Sequence, residues 1–220
     1  NNKAFFDING IGVSATGGIN SKLGIVEGSA GHIKNWEGTN IKKRLEAEFG
    51  MNTAVLNDAN AAALGEMWKG AAKGRENVVV MTIGTGVGGG IEHYGSTSAL
   101  VRNVKNAVIS GEITGINVDE TDGRLIFKEV SAGNKAVIKY VDEWINYISA
   151  ALIGLVHTFN PEMVILGGGV SKQKELFVDK VRDKVLHGVM HNFAQDLSIE
   201  AAELGNNAGI IGAVKFLIDA

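Results

Sequence analysis

The sequence predicts an α/β fold, on three observations. Short β-rich runs that end in glycine, Asn or Asp alternate with segments of helical periodicity. Apolar residues make up 45% of the 220, enough to bury a substantial core. Thirty glycines against one proline imply many places where backbone lies close to backbone or to a ligand. Charged residues are 20% and the net charge is −3, so neither a basic stripe for nucleic acid nor an acidic tail is present, and a small neutral or anionic ligand fits better. The absence of cysteine excludes disulfides and thiolate zinc sites. "NNKAFFDI" carries no signal-peptide pattern, and no apolar run approaches the roughly 18 residues of a spanning helix, so a cytoplasmic protein without a membrane partner is expected.

The strand-like runs, in order, are "KAFFDI", "IGVSATG", "TAVLND", "NVVVMTIG", "EMVILGGG" and "SIEAAELG". Between the second and third, Ile41, Leu45 and Phe49 share one helical face and Gly50 closes the helix. An alanine-rich helix is expected over 59–72. In the longest helix Ile138, Val141, Ile145, Ile148, Leu152, Leu155 and Phe159 keep 3/4 spacing, and Asn160-Pro161 stops it. Further helices are expected over about 171–187 and 207–218. There is no fixed-period repeat and no Ser-, Pro- or Gly-rich linker, so any division of the chain is a cleft within a compact body.

Three stretches carry candidate chemistry. After the strand ending at Ile83, Gly84-Thr85-Gly86-Val87-Gly88-Gly89 formally satisfies GxGxxG, but a dinucleotide fingerprint needs a helix to open within the glycines, and "GVGGGIEHYG" reads as extended chain. It is either a hairpin whose N–H groups and Thr85 hydroxyl cup a phosphate or a bulged structural hairpin. In "VILGGGVS" three glycines, Gly167, Gly168 and Gly169, stand between a strand and a helix; they let a ligand lie on the backbone or simply form a tight turn. In "VLNDANAAALGE", Asp58 leaves a strand and enters a helix, either as an N-cap or as a carboxylate aimed into a site. Asn57 beside it suits the holding of a hydroxyl whose proton a carboxylate takes. The five histidines show no metal-ligand spacing.

Taken together, "LNDANAAALGE", "TIGTGVGGGI", "NPEMVILGGGVS" and "AAELGNNAGIIGA" resemble the ROK family of bacterial sugar kinases and sugar-responsive repressors. The resemblance runs from about Ile11 to Ala220 and implies a two-domain ribonuclease H-like fold of the actin/hexokinase/Hsp70 superfamily with an interdomain cleft. It implies a small α/β domain over 1–72, completed by the helix 207–220, and a large α/β domain over 73–206. On the same ground Asp58 matches the catalytic base, and Asn57 and Gly18 the sugar contacts. Asp7, Thr85 and Gly86 match positions near magnesium and the phosphates, and Gly167, Gly168 and Gly169 the loop beside the adenosine.

The implied reaction is ATP-dependent phosphorylation of a sugar hydroxyl, with Mg2+ as the metal and a homodimer as the assembly; the residues present do not support zinc. The alternative is a sugar-sensing repressor of the same family, marked by an additional winged helix-turn-helix; a chain opening on "KAFFDI" favours the kinase. Two family segments are missing. "FFDINGIGVSATG" leaves no room for the strands and helix that follow the first Asp, and "HYG" passes straight into "STSAL", where the family carries a sugar-binding insertion. Gly95–Ser96 therefore reads as a seam between two stretches that the family keeps apart.

Overall fold

Parallel pairing of β-branched runs, with helices covering the sheets, accounts for most of the computed structural model, which describes residues 8–29, 31, 33–84 and 92–220. Backbone contacts divide it into two units, one of residues 1–74 with 206–220 and one of 75–205.

In the first unit β1 (Ile11–Ala15) is followed by the antiparallel pair β2 (Gly18–Asn20) and β3 (Ile25–Gly28), then α1 (Ile41–Phe49), β4 (Thr53–Asn57) and α2 (Asp58–Lys69). β1 and β4 pair in parallel with Ile11 opposite Thr53 and Ala15 opposite Asn57, so their carboxyl ends emerge side by side. Asn40 caps α1 by accepting from the Lys43 N–H, and Gly50 ends it in the left-handed region (φ 63°). Ile41 is buried and Leu45 partly so, but Phe49, expected on the same face, is 55% exposed at the last turn. The C-terminal helix, Ala208–Asp219, lies against α2 and β1. Two glycines permit that approach: a Cβ on Gly212 would collide with the Ala61 carbonyl of α2, and one on Gly65 with the Ala208 carbonyl.

α2 differs from expectation at both ends. Its cap is Asn57, which keeps an extended ψ of 145°, whereas Asp58 is already helical. It stops at Lys69 rather than 72, because the chain breaks from helical geometry at Gly70 and the Glu66 carboxylate folds back to accept from the Ala71 N–H.

The second unit holds β5 (Val78–Thr82), α3 (Glu92–Gly95), α4 (Thr97–Ile109), α5 (Gly123–Ser131), α6 (Lys135–Phe159), β6 (Met163–Gly167), α7 (Asp179–Gly188), α8 (His191–Ala194) and β7 (Ser198–Ala201). The strands form a parallel sheet in the order β5-β6-β7. The whole of β6 is buried, as its apolar run MVILG requires of a central strand. α6 supplies the spine of the core: Val141, Ile145, Ile148 and Leu152 are fully buried, and Asn160 closes the helix at φ 44°. Phe159, assigned by periodicity to the buried face, is 60% exposed on the final turn.

Residues 92–95 correct the reading of "GVGGGIEHYG" as extended, since they form a helical turn. Tertiary contacts hold it: Tyr94 packs on Tyr147 with ring centroids 5.1 Å apart, and the buried Trp144 indole N–H donates to the Gly95 and Ser96 carbonyls at 2.9 and 3.1 Å. The expected helix over 171–187 is broken. It begins as a 3₁₀ turn (Gly169–Lys172), widens to a π turn (Lys174–Val178) that brings Phe177 onto Trp144, and becomes regular only in α7.

Candidate functional site

Asn57 ends β4 and joins three pieces of backbone. Its Oδ1 accepts from the N–H groups of Ala59 and Asn60, capping α2, while its Nδ2 donates to the Gly17 carbonyl at 2.8 Å and to Asp58 Oδ1 at 3.0 Å. That Asp58 oxygen also accepts from the Ala59 N–H at 2.9 Å, so the carboxylate is exposed at the first turn of α2 yet held on one side. Parallel pairing of β1 with β4 brings the Thr16–Gly18 turn to the same edge. Gly17 has φ 104°, and a Cβ there would come 2.5 Å from the Gly28 carbonyl, so the turn needs glycine at that position. Asn57, Asp58 and Gly18 are thus brought together at the carboxyl ends of two parallel strands, where α/β sheets bind ligands.

In the second unit, β5 and β6 end level with each other, with Thr82 opposite Gly167. Gly168 adopts φ 91° against the Ile83 carbonyl, and Gly169 lines a cavity of about 930 Å³. Arg102, Lys105, Arg124 and Lys172 line it too, with Asp122 as the one acidic residue among the described lining residues. Both α4 and α5 begin at its wall. Ser96 caps α4 through the Ala99 N–H, the Thr97 N–H ties that start to the Gly84 carbonyl at 2.9 Å, and Asp122 caps α5 through the Leu125 N–H. Excess cations and two helix N-termini favour a polyanion. Sequence reasoning missed these basic residues because it contained neither α4 nor α5; the Ser96 and Asp122 caps ahead of apolar periodicity were the available signal.

Asp7, Thr85 and Gly86 lie outside the described residues. Among the described residues no three or more His, Cys, Asp or Glu side chains gather in a group that could hold a metal, and no helix is long and apolar enough to cross a membrane.

The ROK family model matches residues 1–97 and 91–220, together the whole chain. This chain belongs to the ROK family. Its fold is that of the actin/hexokinase/Hsp70 superfamily. This ROK chain is 30% identical over 242 residues to a beta-glucoside kinase of Listeria monocytogenes, covering 94% of the chain and 79% of that kinase. It is 26% identical over 250 residues to a glucokinase of Thermotoga maritima, covering 94% and 78%. A solved structure of a ROK family glucokinase from Streptomyces griseus in complex with glucose and AMPPNP superposes with a TM-score of 0.84 at 27% identity, covering 98% of this chain and 83% of that one. The two stretches matched by the family model overlap at 91–97, which includes Gly95 and Ser96. The alignment with the glucokinase is longer than this 220-residue chain, so that relative carries residues with no counterpart here.

Proposed function

We propose that this chain is an ATP-dependent sugar kinase that transfers the γ-phosphoryl group of ATP to a hydroxyl of a hexose or hexose derivative. The observation that carries the reading is the Asn57–Asp58 pair at the carboxyl end of β4, in a chain of a family whose similar members are named glucokinase and beta-glucoside kinase. In this reading Asp58 is the general base. It takes the proton of the sugar hydroxyl as that oxygen bonds to the γ-phosphorus and the bond to the bridging oxygen of ADP breaks, giving sugar phosphate, ADP and a proton. Gly18 supplies backbone against the sugar. Asn57, whose Nδ2 hydrogens are both engaged, orients Asp58 and meets a sugar hydroxyl through its amide oxygen, which accepts.

The nucleotide takes the cavity beside Gly167, Gly168 and Gly169, whose cations and helix N-termini suit a triphosphate. Thr85 and Gly86 would hold phosphate oxygens, and Asp7 would stand near Mg2+, which enters with ATP and neutralises its charge. A homodimer and a cytoplasmic setting belong to the same reading.

Coupled ADP release across a panel of hexoses, hexosamine derivatives and β-glucosides tests it. At least one sugar is expected to drive turnover, and Asp58→Asn should keep sugar binding while losing roughly 10²–10⁴-fold in kcat, the usual range for a general base. No ADP release with any sugar, or near-parent turnover in the variant, overturns the assignment. A sugar sensor without kinase activity would show binding with no ADP.

A further inference from the structure

The Thr16–Gly18 turn, already paired through Gly18 to Gly28 of β3, is also bonded by the side chains of Asn57 and Trp36. The Trp36 indole N–H donates to the Thr16 carbonyl at 2.8 Å, twenty residues away in sequence. Trp36 is itself fixed. The preceding Asn35 sits at φ 58°, a left-handed conformation uncommon outside glycine that marks an over-determined turn. The Thr39 N–H donates to the Trp36 carbonyl, and the turn is bonded to β3 twice, from the Gly38 N–H to the Val26 carbonyl and from the Val26 N–H to the Thr39 carbonyl. The indole packs, partly buried, on the cluster of Ala15, Val26, Ile41 and Val55. The result is a path of hydrogen bonds and the short covalent links between them, from β3 through Trp36, Thr16 and Gly17 to Asn57 and Asp58 Oδ1.

The two consecutive glycines give the turn little rigidity of its own. Resting on the kinase reading above, we propose that Trp36 is a positioning residue for phosphoryl transfer: its indole N–H fixes the Thr16–Gly18 turn, and through the Gly17 carbonyl and Asn57 it sets the orientation of Asp58. The indole offers a single donor and no acceptor, so Phe keeps much of the packing and removes only the bond.

Trp36→Phe is therefore the test, made in the intact chain. The expected result is a melting temperature within a few degrees of the parent, a KM for ATP within twofold, and a kcat with the preferred sugar lower by about tenfold. Since both changes break one path, Trp36→Phe/Asn57→Ala should be no more than twofold slower than Asn57→Ala alone. A kcat within twofold of the parent, multiplied losses in the double variant, or a parallel worsening of the ATP and sugar constants overturns the proposal. An arm independent of turnover, and of whether Trp36→Phe folds, is the hydrogen exchange of the Trp36 indole by NMR. Asn57→Ala should accelerate it, and an unchanged rate counts against the path. A parent that releases no ADP with any sugar overturns the kinase reading instead, and the indole exchange still reports on the path.

Discussion

Asn57 uses both of its side-chain N–H hydrogens, while its Oδ1 takes two backbone N–H groups. A residue so committed organises a site more than it samples one, which is why Asp58 beside it carries the proposed chemistry. Glu162 shows the same economy outside the site. Its Oε1 accepts from the Glu76 and Asn77 N–H groups at 2.6 and 3.0 Å, and its Oε2 lies 3.4 Å from Arg75, fastening the entry to β5 onto the start of β6. Those backbone bonds, Asn77 first and then Glu76, hold its carboxyl below the ordinary value of 4.5, with the Arg75 guanidinium adding to the effect. A carboxylate depressed on folding stabilises above its unfolded pKa and loses that contribution as pH falls through the folded one. Glu162→Gln should thus melt below the parent at pH 7, the gap closing as pH drops beneath 4.5. A gap that stays constant in melts from pH 7 to pH 3 would contradict this.

Among the elements, regular helices with a complete local signature were legible in the sequence. α1 had Asn40 before it and Gly50 after it, and α6 had unbroken apolar spacing and a proline stop. The ends and interruptions were not, because contacts distant in the chain set them. Gly70 with the Glu66 carboxylate shortens α2, and Trp144 with Tyr147 makes residues 92–95 helical in a stretch that reads as extended. The terminal "AGIIGA" carried family resemblance without an evident reason until the C-terminal helix was seen against α2. Its Gly212 has no room for a side chain beside the Ala61 carbonyl. Gly212→Val must push the two helices apart, and overpacking of this kind costs about 1–3 kcal/mol. Chemical denaturation should show that loss as a lower midpoint, and a midpoint equal to the parent's would mean the contact is not as close as described.

For the molecule as a whole, charge is distributed unevenly. The chain carries −3 overall, yet among the described residues the cavity beside Gly169 is lined by four cations and one acid. A polyanion entering it gains from charges that the bulk composition conceals. Lys172→Glu should raise the KM for ATP by about tenfold and leave the KM for sugar unchanged, and the parent's ATP constant should rise with salt as screening grows. Equal effects on both substrates would detach Lys172 from the nucleotide. The sequence by itself determined the α/β class and the Asn57–Asp58 pair at a strand end, because alternation, glycine placement and capping residues act within a few neighbours, while its four motifs carried the resemblance to the family. Only the tertiary structure decided that Trp36 holds the Thr16 carbonyl and that Arg102, Lys105, Arg124 and Lys172 line one cavity. The cavity cations come from α4, α5 and the 3₁₀ turn after β6, and no local rule states which helix starts will meet until the sheet has packed against its helices.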